Sequence, residues 1–135
     1  MYEEKRVSLK LSELEHTYRA EDSFGELLVG EKAHRPMELL LIALAGCMGV
    51  DISHILKKKR QEVKDIVFDV VGRRREEFPR VYESISLKVR VSGRGISYRA
   101  VEQAVRLSIE KYCSVYAMLK NACHIDVSFE VIDEA

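Results

Sequence analysis

Three cysteines, Cys47, Cys113 and Cys123, are the residues of this 135-residue chain best suited to chemistry beyond folding. The thiolate is the reactive form of cysteine, so each is weighed by what its neighbours do to the S–H bond. Cys47 lies in an apolar run beside Gly46 and Gly49, where a small buried hydrophobe and a nucleophile are both compatible with the sequence. Cys113 stands just before Ser114 and a helical pattern, and the positive end of a helix favours a thiolate there. Cys123, beside His124 at the start of a strand pattern, reads as structural.

Zinc would need four ligands, usually with paired spacing such as CxxC or HxxxH, and the chain has neither. Cys113, Cys123 and His124 would meet only if folding brought them together, so neither a metal nor a cofactor is expected. Asp51 and His54 follow Cys47 at i+4 and i+7, roughly on one helix face. Two helical turns separate sulfur and imidazole by about 10 Å along the axis, too far for direct proton transfer. His54 therefore marks where the helix reaches water.

The elements that must position these residues follow from periodicity. Val7–Leu11, Leu14–Tyr18 and Phe24–Val29 read as three short strands. Pro36 suits the first turn of a helix running from Met37 to about Gln61, whose stretch Leu39 to Ala45 is apolar on every side. Such a helix must be enclosed all round, and its small residues Ala43, Ala45, Gly46 and Gly49 allow very close packing. Asp65–Gly72 and Val81–Val91 alternate as a long antiparallel hairpin, and Ser97 caps an amphipathic helix carrying Val101, Ala104, Val105, Ser108 and Ile109. A second helical pattern with Ser114 as its cap, then a closing strand over His124–Ile132, complete the order. This is an α+β domain with a mostly antiparallel sheet around a long central helix. One chain of this size has difficulty enclosing that helix, which points to a partner subunit.

Composition narrows the class. At 47% hydrophobic, 135 residues form one domain, 1–135, with a real core. Lys and Arg number 22 and Asp and Glu 22, so no basic excess attracts nucleic acid. The apolar run Leu39–Val50 is shorter than the roughly 20 residues of a membrane span, and the N-terminus lacks the pattern of a secretory signal, so a cytoplasmic protein is expected. A charged fraction of 33%, with uncharged amides only at Gln61, Gln103 and Asn121, fits a heat-adapted source.

The segment Arg35-Pro36-Met37-Glu38-Leu39-Leu40-Leu41-Ile42-Ala43-Leu44-Ala45-Gly46-Cys47, with Asp51 beyond it, resembles the central-helix signature of the OsmC/Ohr superfamily. Leu107-Ser108-Ile109-Glu110-Lys111-Tyr112-Cys113-Ser114-Val115 resembles that family's second cysteine segment, and the subgroup most similar is the YhfA-like one. The resemblance covers essentially the whole chain. It implies an OsmC-like fold, an intertwined homodimer wrapped around paired central helices, and a site at the subunit interface.

It also implies peroxide reduction, with Cys47 as the attacking thiolate, Cys113 as its resolving partner and an external dithiol as reductant. Ohr enzymes stabilise the thiolate with an arginine held by a glutamate directly after the helix-opening proline; here that position is Met37. Glu38 points roughly opposite to Cys47 at about 100° per residue. Arg19 is the first candidate for the stabilising cation and Arg35 the second. Organic hydroperoxides are the expected substrate, in a pocket formed by Met37, Leu40, Leu44, Tyr112 and Tyr116, with Met118 nearby in sequence. The alternative, favoured by the missing glutamate, is a non-peroxidase member binding a small hydrophobic ligand or doing other cysteine chemistry at the same cleft; a third reading is a structural dimer with inert thiols.

Overall fold

The computed structural model describes residues 2–134, which fall into two compact units divided between Leu40 and Leu41. The first unit carries an antiparallel sheet in the order β1 (Ser8–Leu11), β2 (Thr17–Glu21) and β3 (Glu26–Gly30). The expected second strand over Leu14–Tyr18 is displaced toward the C-terminus. Ser12 causes this: its Oγ accepts from the Leu14 N–H at 3.1 Å and donates to the Thr17 carbonyl at 2.6 Å, folding residues 12–16 into a turn. Asp22 makes the next turn by accepting from the N–H groups of Phe24 and Gly25. At Gly30 the backbone reaches φ 145° against the His16 carbonyl, leaving no room for a side chain.

Helix α1 (Pro36–Lys58) begins in the first unit and runs into the second. It opens at the proline the sequence marks and stops three residues before the expected Gln61. The stop is a Schellman-type cap, in which Arg60 adopts φ 58° and the Gln61 N–H donates to the Leu56 carbonyl at 3.0 Å. The helix is not enclosed on all sides within the chain. Leu44, Met48, Ile52 and Leu56, spaced by four, are fully buried, while Ile42 and Val50 are more than half exposed. By length and hydropathy α1 could cross a membrane, and within the second unit it buries the stripe Leu44, Met48, Ile52 and Leu56.

That unit's sheet joins β4 (Glu62–Arg74), β5 (Tyr82–Arg94) and β6 (His124–Asp133). β4 and β5 are the expected antiparallel hairpin, longer than the alternating core because a register shift between Val63 and Asp65 extends the pairing to Glu62. β6 lies parallel to β5, whereas the other strand pairings among the described residues are antiparallel. Pairing puts Phe68 beside Val89 and Val89 beside Phe129, so one face is apolar along all three strands. The opposite face is charged, with Lys88 and Arg90 both bridging Glu130.

The helices meet the apolar face. The Phe68 ring faces Gly49, where an added Cβ would stand 3.3 Å from it, so glycine lets α1 approach the sheet. Helix α2 (Tyr98–Leu107) is capped by Ser97, whose Oγ accepts from the Ala100 N–H at 3.1 Å. Its Val101, Ala104 and Val105 are buried, and Tyr98 packs on Phe129 with ring centroids 5.0 Å apart. A π-helical segment, Ser108–Tyr112, leads to α3 (Ser114–Leu119).

Candidate functional site

The site is built where the middle of α1 meets the junction between α2 and α3. Cys47 and Asp51 stand four residues apart on α1 and project from one face. Across from them the π-helical segment ends with the Cys113 N–H donating to the Ser108 carbonyl at 2.8 Å, one residue wider than an α-helical bond. Cys113 itself is then the N-cap of α3, in place of the expected Ser114, because its sulfur accepts from the Tyr116 N–H at 3.3 Å. Ser114 becomes the first residue of the helix.

The two sulfurs and a carboxylate oxygen of Asp51 lie within 4.8 Å of one another. The Ser108 hydroxyl, fully buried, donates to Asp51 Oδ2 at 2.9 Å and fixes that carboxylate. Cys113 is buried with 3% of its surface exposed, whereas Cys47 is only half-buried. Asymmetry of access therefore separates two otherwise adjacent thiols.

Electrostatics act on Cys113 in a direction opposite to the sequence expectation. Burial pushes its thiol up to about 12; the hydrogen bond from the Tyr116 N–H opposes this, and the hydrogen bond and charge of Cys47, with the charge of Asp51, add to it. The expected helix-terminus effect is present as that single backbone bond, and desolvation outweighs it. Cys113 is thus a protonated thiol at neutral pH. Cys123 lies apart from this group, with its sulfur 3.8 Å from the Leu119 carbonyl and its pKa raised by burial.

An open cleft of roughly 740 Å³ borders the group, lined by Asp51, Leu107 and Tyr112, with His54, Lys57 and Lys58 toward water. Of the pocket residues named from sequence, Tyr112 is half-exposed in this cleft, and Tyr116 is half-buried beside Cys113. Leu44 is instead fully buried in the core stripe. Met37 and Leu40 belong to the first unit, with Leu40 partly exposed. Arg19 also belongs to the first unit, on β2, where Glu13 and Glu26 each hold its guanidinium at 3.4 Å.

Sequence reasoning missed the part that Ser108 plays in the site. Asp51 was visible at i+4 from Cys47, but its partner Ser108 sits 57 residues away and has the spacing of a core position. Among the described residues, Cys47, Asp51 and Cys113 form a group of metal-competent side chains, although no metal was expected from the sequence; Cys113, Cys123 and His124, which only folding could have joined, form no such group.

The family model for OsmC-like protein matches residues 29–128, a span that contains the whole site. Protein YhfA of Escherichia coli K12 is 42% identical over 121 residues, covering 86% of this chain and 90% of its own. A crystal structure of a hypothetical protein from Aquifex aeolicus VF5 superposes with a TM-score of 0.95 at 49% identity, covering 99% of this chain and all of that one. At greater distance, an organic hydroperoxide resistance protein OsmC from Legionella pneumophila shares the fold, with a TM-score of 0.67 at 14% identity and 98% coverage of both chains. The chain belongs to the OsmC-like protein family.

Proposed function

We propose that this protein is a thiol-dependent peroxidase acting on organic hydroperoxides, with Cys47 as the peroxidatic and Cys113 as the resolving cysteine. The observation that carries the reading is the pair of sulfurs within 4.8 Å, one accessible and one buried. Cys47 thiolate attacks a peroxide oxygen, the O–O bond breaks, and the alkoxide leaves as the alcohol after taking a proton; Cys47 becomes a sulfenic acid. The sulfur of Cys113 then attacks Cys47, its thiol proton leaves with the hydroxyl as water, and a disulfide forms. An external dithiol returns both residues to thiols by two exchange steps.

Burial suits Cys113 to the second role, because a protonated and shielded thiol does not compete for the peroxide. The name of the Legionella protein, a fold relative, supports an organic hydroperoxide as substrate.

We further assign a homodimer. On α1, Ile42, Gly46 and Val50 form an exposed stripe opposite the buried one, and an added Cβ at Gly46 meets nothing within 4 Å in the described chain. Apolar residues flanking a glycine at four-residue spacing suit close packing against a second copy of the helix.

Steady-state turnover tests the activity. With a dithiol reductant in excess, cumene hydroperoxide should be consumed catalytically by the wild type and not by Cys47→Ser. Wild-type consumption no faster than that of Cys47→Ser would reject the peroxidase and leave ligand binding at the cleft as the better reading.

A further inference from the structure

A peroxidatic pair needs two sulfurs, but this site holds a third ligand-bearing side chain. The Asp51 carboxylate is within 4.8 Å of both Cys47 and Cys113 and is held there by Ser108. We propose that the reduced protein binds a single thiophilic divalent cation of the zinc type through Cys47 Sγ, Cys113 Sγ and a carboxylate oxygen of Asp51.

The geometry is near what such an ion needs. Zinc bonds of about 2.3 Å to sulfur and about 2.0 Å to oxygen, at tetrahedral angles, place ligand atoms roughly 3.5 to 3.8 Å apart. Separations of at most 4.8 Å close to those values by side-chain rotation of about 1 Å. The donor set selects the metal. Two thiolates favour zinc and its soft neighbours, whereas calcium and magnesium demand six or more oxygen ligands.

The surroundings fit as well. Ser108, itself fully buried, bonds Asp51 Oδ2 as an outer partner that orients a ligand, while the carboxylate keeps further lone pairs for the ion. Two thiolates and a carboxylate packed together repel one another, and a dication at their centre turns that repulsion into attraction. On binding, the thiol protons pass to solvent. Three protein ligands leave a fourth position, and the cleft bordered by Asp51, Leu107 and Tyr112 gives water or a small ligand access to it.

Cobalt is the probe, because it occupies tetrahedral thiolate sites and reports them by absorption. The phosphine-reduced protein is titrated with Co²⁺ and the bound ion displaced with Zn²⁺. One equivalent per chain should give sulfur-to-cobalt charge-transfer absorption with the d–d bands of a tetrahedral site, both removed by zinc. The charge-transfer band should be weakened or lost in Cys47→Ser and in Cys113→Ser and unchanged in Cys123→Ser; Asp51→Asn should bind at least tenfold more weakly. A reduced wild type without the charge-transfer band overturns the proposal, whatever the folding of the variants. So does a full band in Cys47→Ser, or unaltered affinity in Asp51→Asn. The titration contains no peroxide, so its failure is distinct from failure of the peroxidase reading.

Discussion

The sulfur of Cys113 lies within 4.8 Å of the sulfur of Cys47 and belongs to an almost fully buried residue, while its partner, four residues from Asp51 on the same helix face, is only partly buried. Two cysteines 66 positions apart in sequence are thereby made neighbours with unequal access.

Alkylation should distinguish the two thiols. In reduced, chelator-treated protein at pH 8, iodoacetamide is expected to modify Cys47 well before Cys113, because Cys113 is shielded and holds its proton. Peptide mapping by mass spectrometry reads the order. Modification of Cys113 first would contradict the assignment of roles.

Stability should carry a Cys113 component at high pH. The thiol is raised in the folded state from an ordinary 9.0 to about 12, so between those values the folded chain binds more protons than the unfolded one. Its stabilising contribution is complete below about pH 9 and is lost as pH rises toward 12. The difference in unfolding free energy between wild type and Cys113→Ser should therefore shift against the wild type across that window; a constant difference would refute the burial effect.

Ser108→Ala removes a buried donor from the Asp51 carboxylate. Asp51 is half-buried and can recover part of its hydration, so a loss of about 1–2 kcal/mol in urea unfolding is expected. A smaller loss, under about 0.3 kcal/mol, would mean that the bond does not hold Asp51 in place.

The two stripes of α1 should respond differently to substitution. Ile52→Ala opens a cavity in the core and should cost about 2–5 kcal/mol. Val50→Glu, on the exposed stripe, should convert a dimer to a monomer by light scattering, since a charge buried between paired helices is unpaired. A wild-type mass equal to one chain would remove the dimer from the account.

Much of the fold is written locally. Pro36 starts α1, Ser97 caps α2, and strict alternation fixes β5 and β6, because each signal acts within a few residues. The apolar helix and its small residues were equally legible, and Gly49 proved to be where Phe68 packs. What escaped depends on distant contacts. Thr17–Glu21 has little alternation, and its start is set by the Ser12 turn. The π-helical segment shifts Cys113 into the cap position, and desolvation then reverses the pKa expected from a helix terminus. Asp51 was readable as a neighbour of Cys47, but its pairing with Ser108 and its approach to Cys113 arise only when α1 packs against the α2–α3 junction.

The most direct test of the central claim is a single turnover. Reduced protein mixed with one equivalent of cumene hydroperoxide is quenched by acid and mapped by mass spectrometry. A Cys47–Cys113 disulfide should form with loss of two thiols; Cys113→Ser should stop at a Cys47 sulfenic acid, and Cys47→Ser should not react. Persistence of both thiols in the wild type, or oxidation centred on Cys123, would contradict the account.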